Sequence, residues 1–374
     1  MVRSRWGKLA LILIILLLYC SSRAWAHEER TDGYFSFIDP EGNVFFQTAR
    51  NVVIGDEFID HENRHYRVTK LKVDEAFCEY LGQATPAESP DTAAGESDYK
   101  STRTLKTAEA ASPPIIGIYH THSDESYVPT DGTASIFGRG GIFKVGNAFS
   151  AALKKVGLKP IHDTTSHDPH DAASYTRSRR TAAALLKHNP AALFDLHRDA
   201  VPRELYVASV KGQDVARLTL VVGRENPKLK ANLNFAKQLK ELNDQKNPGL
   251  IKGIFLAQGT YNQDLFDRAI LIEAGTHENS RPAAERGISL FASVLPAIIP
   301  TRGQPAKTQS ARITQRTGSW STVGWIVGLL VIVGSAYLYL STGSWLEVQS
   351  KVKGFVTREF TEFQNRNKGS DDKN

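Results

Sequence analysis

Between residues 114 and 300, apolar runs of β type alternate with segments of helical periodicity, and no other feature constrains the fold as tightly. Strands are expected at Ile115–Tyr119, Ala192–Leu196, Leu218–Gly223, Ile254–Ala257 and Ala269–Glu273. Helices are expected at Gly146–Val156, Ser174–Lys187, Lys228–Leu242 and Pro282–Leu295. In the third helix Phe235, Leu239 and Leu242 recur at i, i+4 and i+7, one face of a helix. Such alternation packs as an α/β domain, a mainly parallel sheet flanked by helices. In open sheets of this class, ligands bind beyond the carboxyl ends of the strands.

Three of these strands run directly into polar residues: His120 to Glu125, His197 to Asp199, and Glu273. The cysteines narrow the chemistry. Only Cys20 and Cys78 occur, so a thiolate-held zinc is excluded and any metal must be held by histidine and carboxylate. His122 and Glu125 have the spacing H-x-x-E, which in a tight loop brings an imidazole and a carboxylate onto one ion. A catalytic zinc takes three protein ligands, and His197 is the candidate third. His120 is the alternative ligand, or a group orienting its neighbour. Glu273, emerging from an apolar strand, is the candidate catalytic base for an attacking water. Asp195 shares a strand face with His197, as a supporting acceptor or a strand-end cap. Arg198 either meets a substrate carboxylate or pairs with Asp199. His162, His167 and His170, with Asp163 and Asp168, read as a solvated loop.

The flanks are organised differently. Arg3, Arg5 and Lys8 precede the apolar run Leu9–Tyr19, and Ala24-Trp25-Ala26 follows, so 1–26 is a secretory signal or an N-terminal anchor. Residues 27–82 read as a small β-rich accessory domain around the turn Asp39–Asn43, and 83–113 as a disordered linker. After the domain at 114–300 and a linker at 301–319, the run Thr322–Leu340 carries no charge and has Trp and Tyr near its ends. This predicts a transmembrane helix at 320–342 and a cytoplasmic tail at 343–374. The export signal then places the chain at the plasma membrane, with its main domain on the extracytoplasmic side. The net charge of +6, without a dense Lys/Arg tract, gives no support to a nucleic-acid partner.

The order H-x-x-E, His, Glu is similar to that of zinc carboxypeptidases and of the zinc-dependent N-acetylmuramoyl-L-alanine amidases of the same fold group. A closer resemblance is to the stage II sporulation protein P family. The stretches YHTHSDESYVPTDG, GGIFKVGNAF, SYTRSR, FDLHRDAV, GTYNQDL and LIEAG resemble that family's successive blocks over residues 114–300. The resemblance implies a zinc-dependent hydrolase that cleaves the N-acetylmuramoyl-L-alanine amide bond of peptidoglycan, with endopeptidase action on crosslinks as a second activity. It also implies a role in septal thinning and engulfment during sporulation, with stage II sporulation proteins D and M as partners. The matched positions are His120 or His122, Glu125, His197 and Glu273. Where related amidases carry an acid, this chain has Lys144-Val145-Gly146-Asn147, which leaves Glu125 as the carboxylate ligand. A non-catalytic wall-binding scaffold that recruits other hydrolases is the competing reading.

Overall fold

The computed structural model describes residues 30, 32–88, 112–171 and 173–299. The expected leader, membrane span, tail, second linker and most of the first linker lie outside these residues. Among the described residues, no helix is long and apolar enough to cross a membrane.

The N-terminal strands are β1 (Phe35–Ile38), β2 (Val44–Thr48), β3 (Glu57–Asp60), β4 (Arg64–Lys72) and β5 (Glu75–Gln83). They are followed by β6 (Ile115–Tyr119), β7 (Lys159–His162), β8 (Ala192–Asp199), β9 (Val207–Val210), β10 (Gln213–Ala216), β11 (Leu218–Gly223), β12 (Ile251–Ala257) and β13 (Ala269–Thr276). The helices are α1 (Val128–Asp131), α2 (Ile142–Lys155), α3 (Ser174–Leu186), α4 (Leu229–Lys246), α5 (Arg281–Ala292) and α6 (Leu295–Ile298). Strands β9 and β10 form a hairpin of their own; the rest make one eleven-stranded sheet in the order β2-β1-β5-β4-β3-β12-β11-β13-β8-β6-β7.

The sheet is mixed, which corrects the expectation of a mainly parallel one. β13, β8, β6 and β7 run parallel, as do β11 and β12, but β13 is antiparallel to β11. The link from β12 to β13 contains only a single 3-10 turn, Gln263–Leu265. β13 lies on the far side of β11 from β12 and runs in the opposite sense to both. The hairpins β3–β4 and β4–β5 add further antiparallel pairs.

The β-rich segment expected as a separate small domain joins this sheet. β3 pairs with β12, with Ile59 opposite Ile254. Phe37, Phe46, Phe58 and Tyr66 share a core with Val221, Phe255, Tyr261 and Leu271. β1–β5 curl, so that Phe46 stacks on Phe58 with ring centroids 3.9 Å apart. A segment this small buries too little surface to stand alone comfortably, and β12 supplies the missing partner.

One face of the sheet is covered by α2, α4 and α5, whose Phe149, Phe235 and Phe291 pack against Phe194, Leu196 and Ile272. Burying each such phenylalanine stabilises the fold by roughly 1.5–3 kcal/mol. On the other face Ala182 and Leu185 of α3 pack against Tyr119 and Leu193. Side chains alternate along a strand. Phe194 and Leu196 therefore point to the first face, and Leu193, Asp195 and His197 to the second.

Candidate metal centre

Strand β6 stops at Tyr119, and the chain enters a loop that other elements hold in place. Thr121 donates from its backbone N and its Oγ1 to Asp195, at 2.8 and 2.6 Å. Gly140 N donates to Ser123 O at 2.9 Å, and Ile142 N to Glu125 O at 3.0 Å. A Cβ on Gly140 would fall 2.4 Å from Glu125 O and 2.6 Å from the Asp124 carbonyl carbon. Only glycine lets the start of α2 lie this close to the loop.

The loop brings His122 and Glu125 to His197, and one ligand atom from each lies within 4.8 Å of the others. Glu125 Oε1 is 3.3 Å from His122 Nδ1 and 3.2 Å from His197 Nδ1. Glu125 Oε2 accepts the Arg198 backbone N–H at 2.9 Å. All three side chains are buried.

Electrostatics at this point ask for a cation. Burial pushes the His122 imidazole down to about 3, leaving it a neutral donor. Burial also opposes charge on His197, yet the Asp195 and Glu125 carboxylates prevail and raise it to about 10. Burial likewise penalises the Glu125 carboxylate, but His197 and Arg198 hold it well below the usual range. Asp195 Oδ1 lies 3.0 Å from His197 Nε2, without the alignment of a hydrogen bond. A proton on His197 thus answers the demand of two carboxylates, a place that a divalent cation takes when it displaces such a proton. Two imidazoles and a carboxylate are a zinc donor set, and a carboxylate behind a ligand imidazole is its customary support. The residues fit the metal.

Glu273 pairs in register with His197 across β8 and β13, so the two share a face. Its Oε1 accepts from Arg50 Nε at 2.6 Å, and its buried Oε2 has no hydrogen-bond partner among the described residues. Burial pushes the carboxyl up to about 7, against the pull of Arg50 and His197.

The remaining candidates take other places. His120 turns toward α2: its Nδ1 is 3.0 Å from Leu196 O and its Nε2 is 2.7 Å from His162 Nε2. It is outside the three-residue group, because the chain leaves the strand at Tyr119 and breaks the alternation that would put His120 and His122 on one face. Arg198 is buried, and its Nη2 donates to Ala134 O at 3.2 Å. Asp199 accepts instead from Ala49 N and Tyr206 Oη, each at 3.0 Å. His170, expected in a solvated loop, stacks on His122 with centroids 3.7 Å apart. Two neighbours of the site carry no signal of that role in the sequence, Arg50 and Tyr175. Arg50 Nη1 donates to Tyr175 Oη at 3.2 Å, and the Tyr175 ring lies nearly parallel to His197, centroids 6.3 Å apart. Arg50 is 223 positions from Glu273 and sits in no motif; the one available signal was that a buried acid needs a partner.

Fold and site together define a mixed α/β protein with a buried His-Glu-His cluster suited to a metal ion. More particularly, the chain belongs to the stage II sporulation protein P (SpoIIP) family, whose model matches residues 49–296. That range takes in Arg50 as well as the cluster. The chain is similar to stage II sporulation protein P of Bacillus subtilis (strain 168), 32% identical over 199 residues, 48% of this chain and 50% of that protein. It thus spans about half the length of the curated relative it matches. Among solved structures it is similar to the N-acetylmuramyl-L-alanine amidase of Mycobacterium smegmatis, at a TM-score of 0.34 and 12% identity over 50% of this chain and 97% of that one. It is also similar to the N-acetylmuramoyl-L-alanine amidase of Clostridium difficile 630, at a TM-score of 0.33 and 10% identity over 52% of this chain and 100% of that one. Overlaps this loose decide nothing about activity.

Proposed function

We propose that the chain is a zinc-dependent peptidoglycan hydrolase of sporulation that cleaves the N-acetylmuramoyl-L-alanine amide bond, with stem-peptide crosslinks as a second target. The observation that carries this reading is the convergence of His122, Glu125 and His197 within 4.8 Å, beside Glu273. Held there, zinc supplies Lewis acidity for amide hydrolysis. Asp195 supports the His197 ring from behind. The unbonded Oε2 of Glu273 takes the proton of the attacking water and passes it to the leaving amine. Membership of the family supports the link to sporulation, with sporulation proteins D and M as proposed partners. The uncharged run Thr322–Leu340 supports attachment to the plasma membrane, with the hydrolase outside.

The test incubates zinc-loaded protein with murein sacculi and measures newly exposed N-terminal L-alanine. Glu273→Gln should keep zinc and lose cleavage; His197→Ala should lose much of both. Normal sacculus binding with no release by the wild type would sink the hydrolase reading and favour a scaffold.

A further inference from the structure

Arg50 reaches the centre from the curled β1–β5 segment, outside every element that holds a candidate ligand. Its side chain and that of Glu273 are only 4% and 3% exposed. A buried ion pair is a poor source of stability, because both charges must leave water. Here the cost is higher still, since Glu273 Oε2 finds no partner among the described residues. Packing alone gives no reason for the pair. Its setting is nonetheless tightly built. Ala49 N donates to Asp199 Oδ1 at 3.0 Å, and Arg50 N to Thr48 Oγ1 at 3.2 Å. Asp199 ends β8, two residues beyond His197, so the strand that carries a candidate ligand also anchors the backbone that delivers the arginine. The guanidinium is then fixed by Glu273 Oε1 at 2.6 Å, Tyr175 Oη at 3.2 Å and the Tyr261 ring, 5.4 Å from its centroid. A planar fork makes such contacts together, where an ammonium does not.

We infer that Arg50 is a positioning residue for the proposed hydrolysis: it clamps one oxygen of Glu273 and leaves the other unbonded for the reacting water. This rests on the hydrolase reading above. The β-rich segment, on this view, completes the reaction centre rather than serving as an accessory.

The test uses the full-length, zinc-loaded chain in the sacculus assay, with soluble muropeptides to separate kcat from KM. Arg50→Met should keep stoichiometric zinc and an unchanged KM while kcat falls by about 100-fold. Arg50→Lys should recover part of kcat. Arg50→Met/Glu273→Gln should be no slower than Glu273→Gln alone, because a group acting through Glu273 then has nothing to act on. Additive losses, loss of zinc, or a raised KM at constant kcat would overturn the role. If Arg50→Met does not fold, Arg50→Lys with and without Glu273→Gln decides by the same non-additivity. An active wild type beside an equally active Arg50→Met overturns this inference alone. A zinc-loaded wild type that does not cut overturns the hydrolase reading, and the inference with it.

Discussion

The two ends of the large sheet follow different rules. From β12 to β7, helices pack on both faces of the sheet, and polar side chains gather where strands end. From β2 to β3, the strands are joined by short turns and one longer loop, curl on themselves and offer no candidate ligand among the described residues. Yet the second region holds a side chain of the first. The buried contact between Arg50 and Glu273 ties the segment read from the sequence as an accessory domain to the strand that carries Glu273. Position along the chain does not decide which residues serve a site; the pairing of β3 with β12 does.

The severest way to break this comparison is to delete residues 27–82. Val221, Phe255 and Leu271 would lose their cover, at roughly 1.5–3 kcal/mol each, against a total stability of about 5–15 kcal/mol for an ordinary domain. The truncated chain should be insoluble or lack a cooperative melt; a well-folded, active product would restore the two-domain picture. Gly140→Ala probes the other region. Its new methyl group meets backbone at 2.4 Å, so the loop of Glu125 must shift, with zinc affinity falling about 10–100-fold and stability by about 1–3 kcal/mol. Isothermal titration and a thermal melt would measure the two.

The dependence of kcat on pH sharpens the link between the regions. Burial raises the Glu273 carboxyl to about 7, and the proposed general base acts only when deprotonated, so kcat should fall as pH drops through that range. Arg50 favours the charged form, so Arg50→Met should move this acid limb to higher pH. An unmoved limb would show that Arg50 leaves the base untouched. The smallest expected effect lies at the tip of the β4–β5 hairpin, where Val73 holds φ at 53° while 85% exposed. Left-handed backbone is strained for a β-branched residue, so Val73→Asn should raise stability by about 1 kcal/mol without touching kcat.

Local patterns were readable in the sequence where local physics governs. The expected strands Ile115–Tyr119 and Leu218–Gly223 match β6 and β11, since both are uninterrupted apolar runs. The H-x-x-E spacing, His197 and Glu273 stood out because polar residues ended apolar strands. What depends on tertiary approach was hidden. The direction of β13 is not written in its own apolar run, which serves one antiparallel neighbour, β11, and one parallel neighbour, β8. The choice between His120 and His122 turns on the residue at which β6 stops. The sequence leaves Arg198 between pairing with Asp199 and meeting a substrate carboxylate, and gives no sign that Asp199 holds the backbone at Ala49, 150 positions away. The hairpin of β9 and β10 has too weak an alternation to be seen, with Gln213 and Asp214 exposed at its second strand.

The pairing of β3 with β12 also governs the order in which the molecule can be completed. A ribosome makes the curled segment before the other strands and β13 after them all, and closing so long a stretch of chain is entropically costly and slow. The guanidinium that steadies Glu273 must wait, already made, for a carboxylate synthesised 223 residues later. A nascent or truncated chain ending before β13 therefore holds no finished centre, however well its early strands have folded.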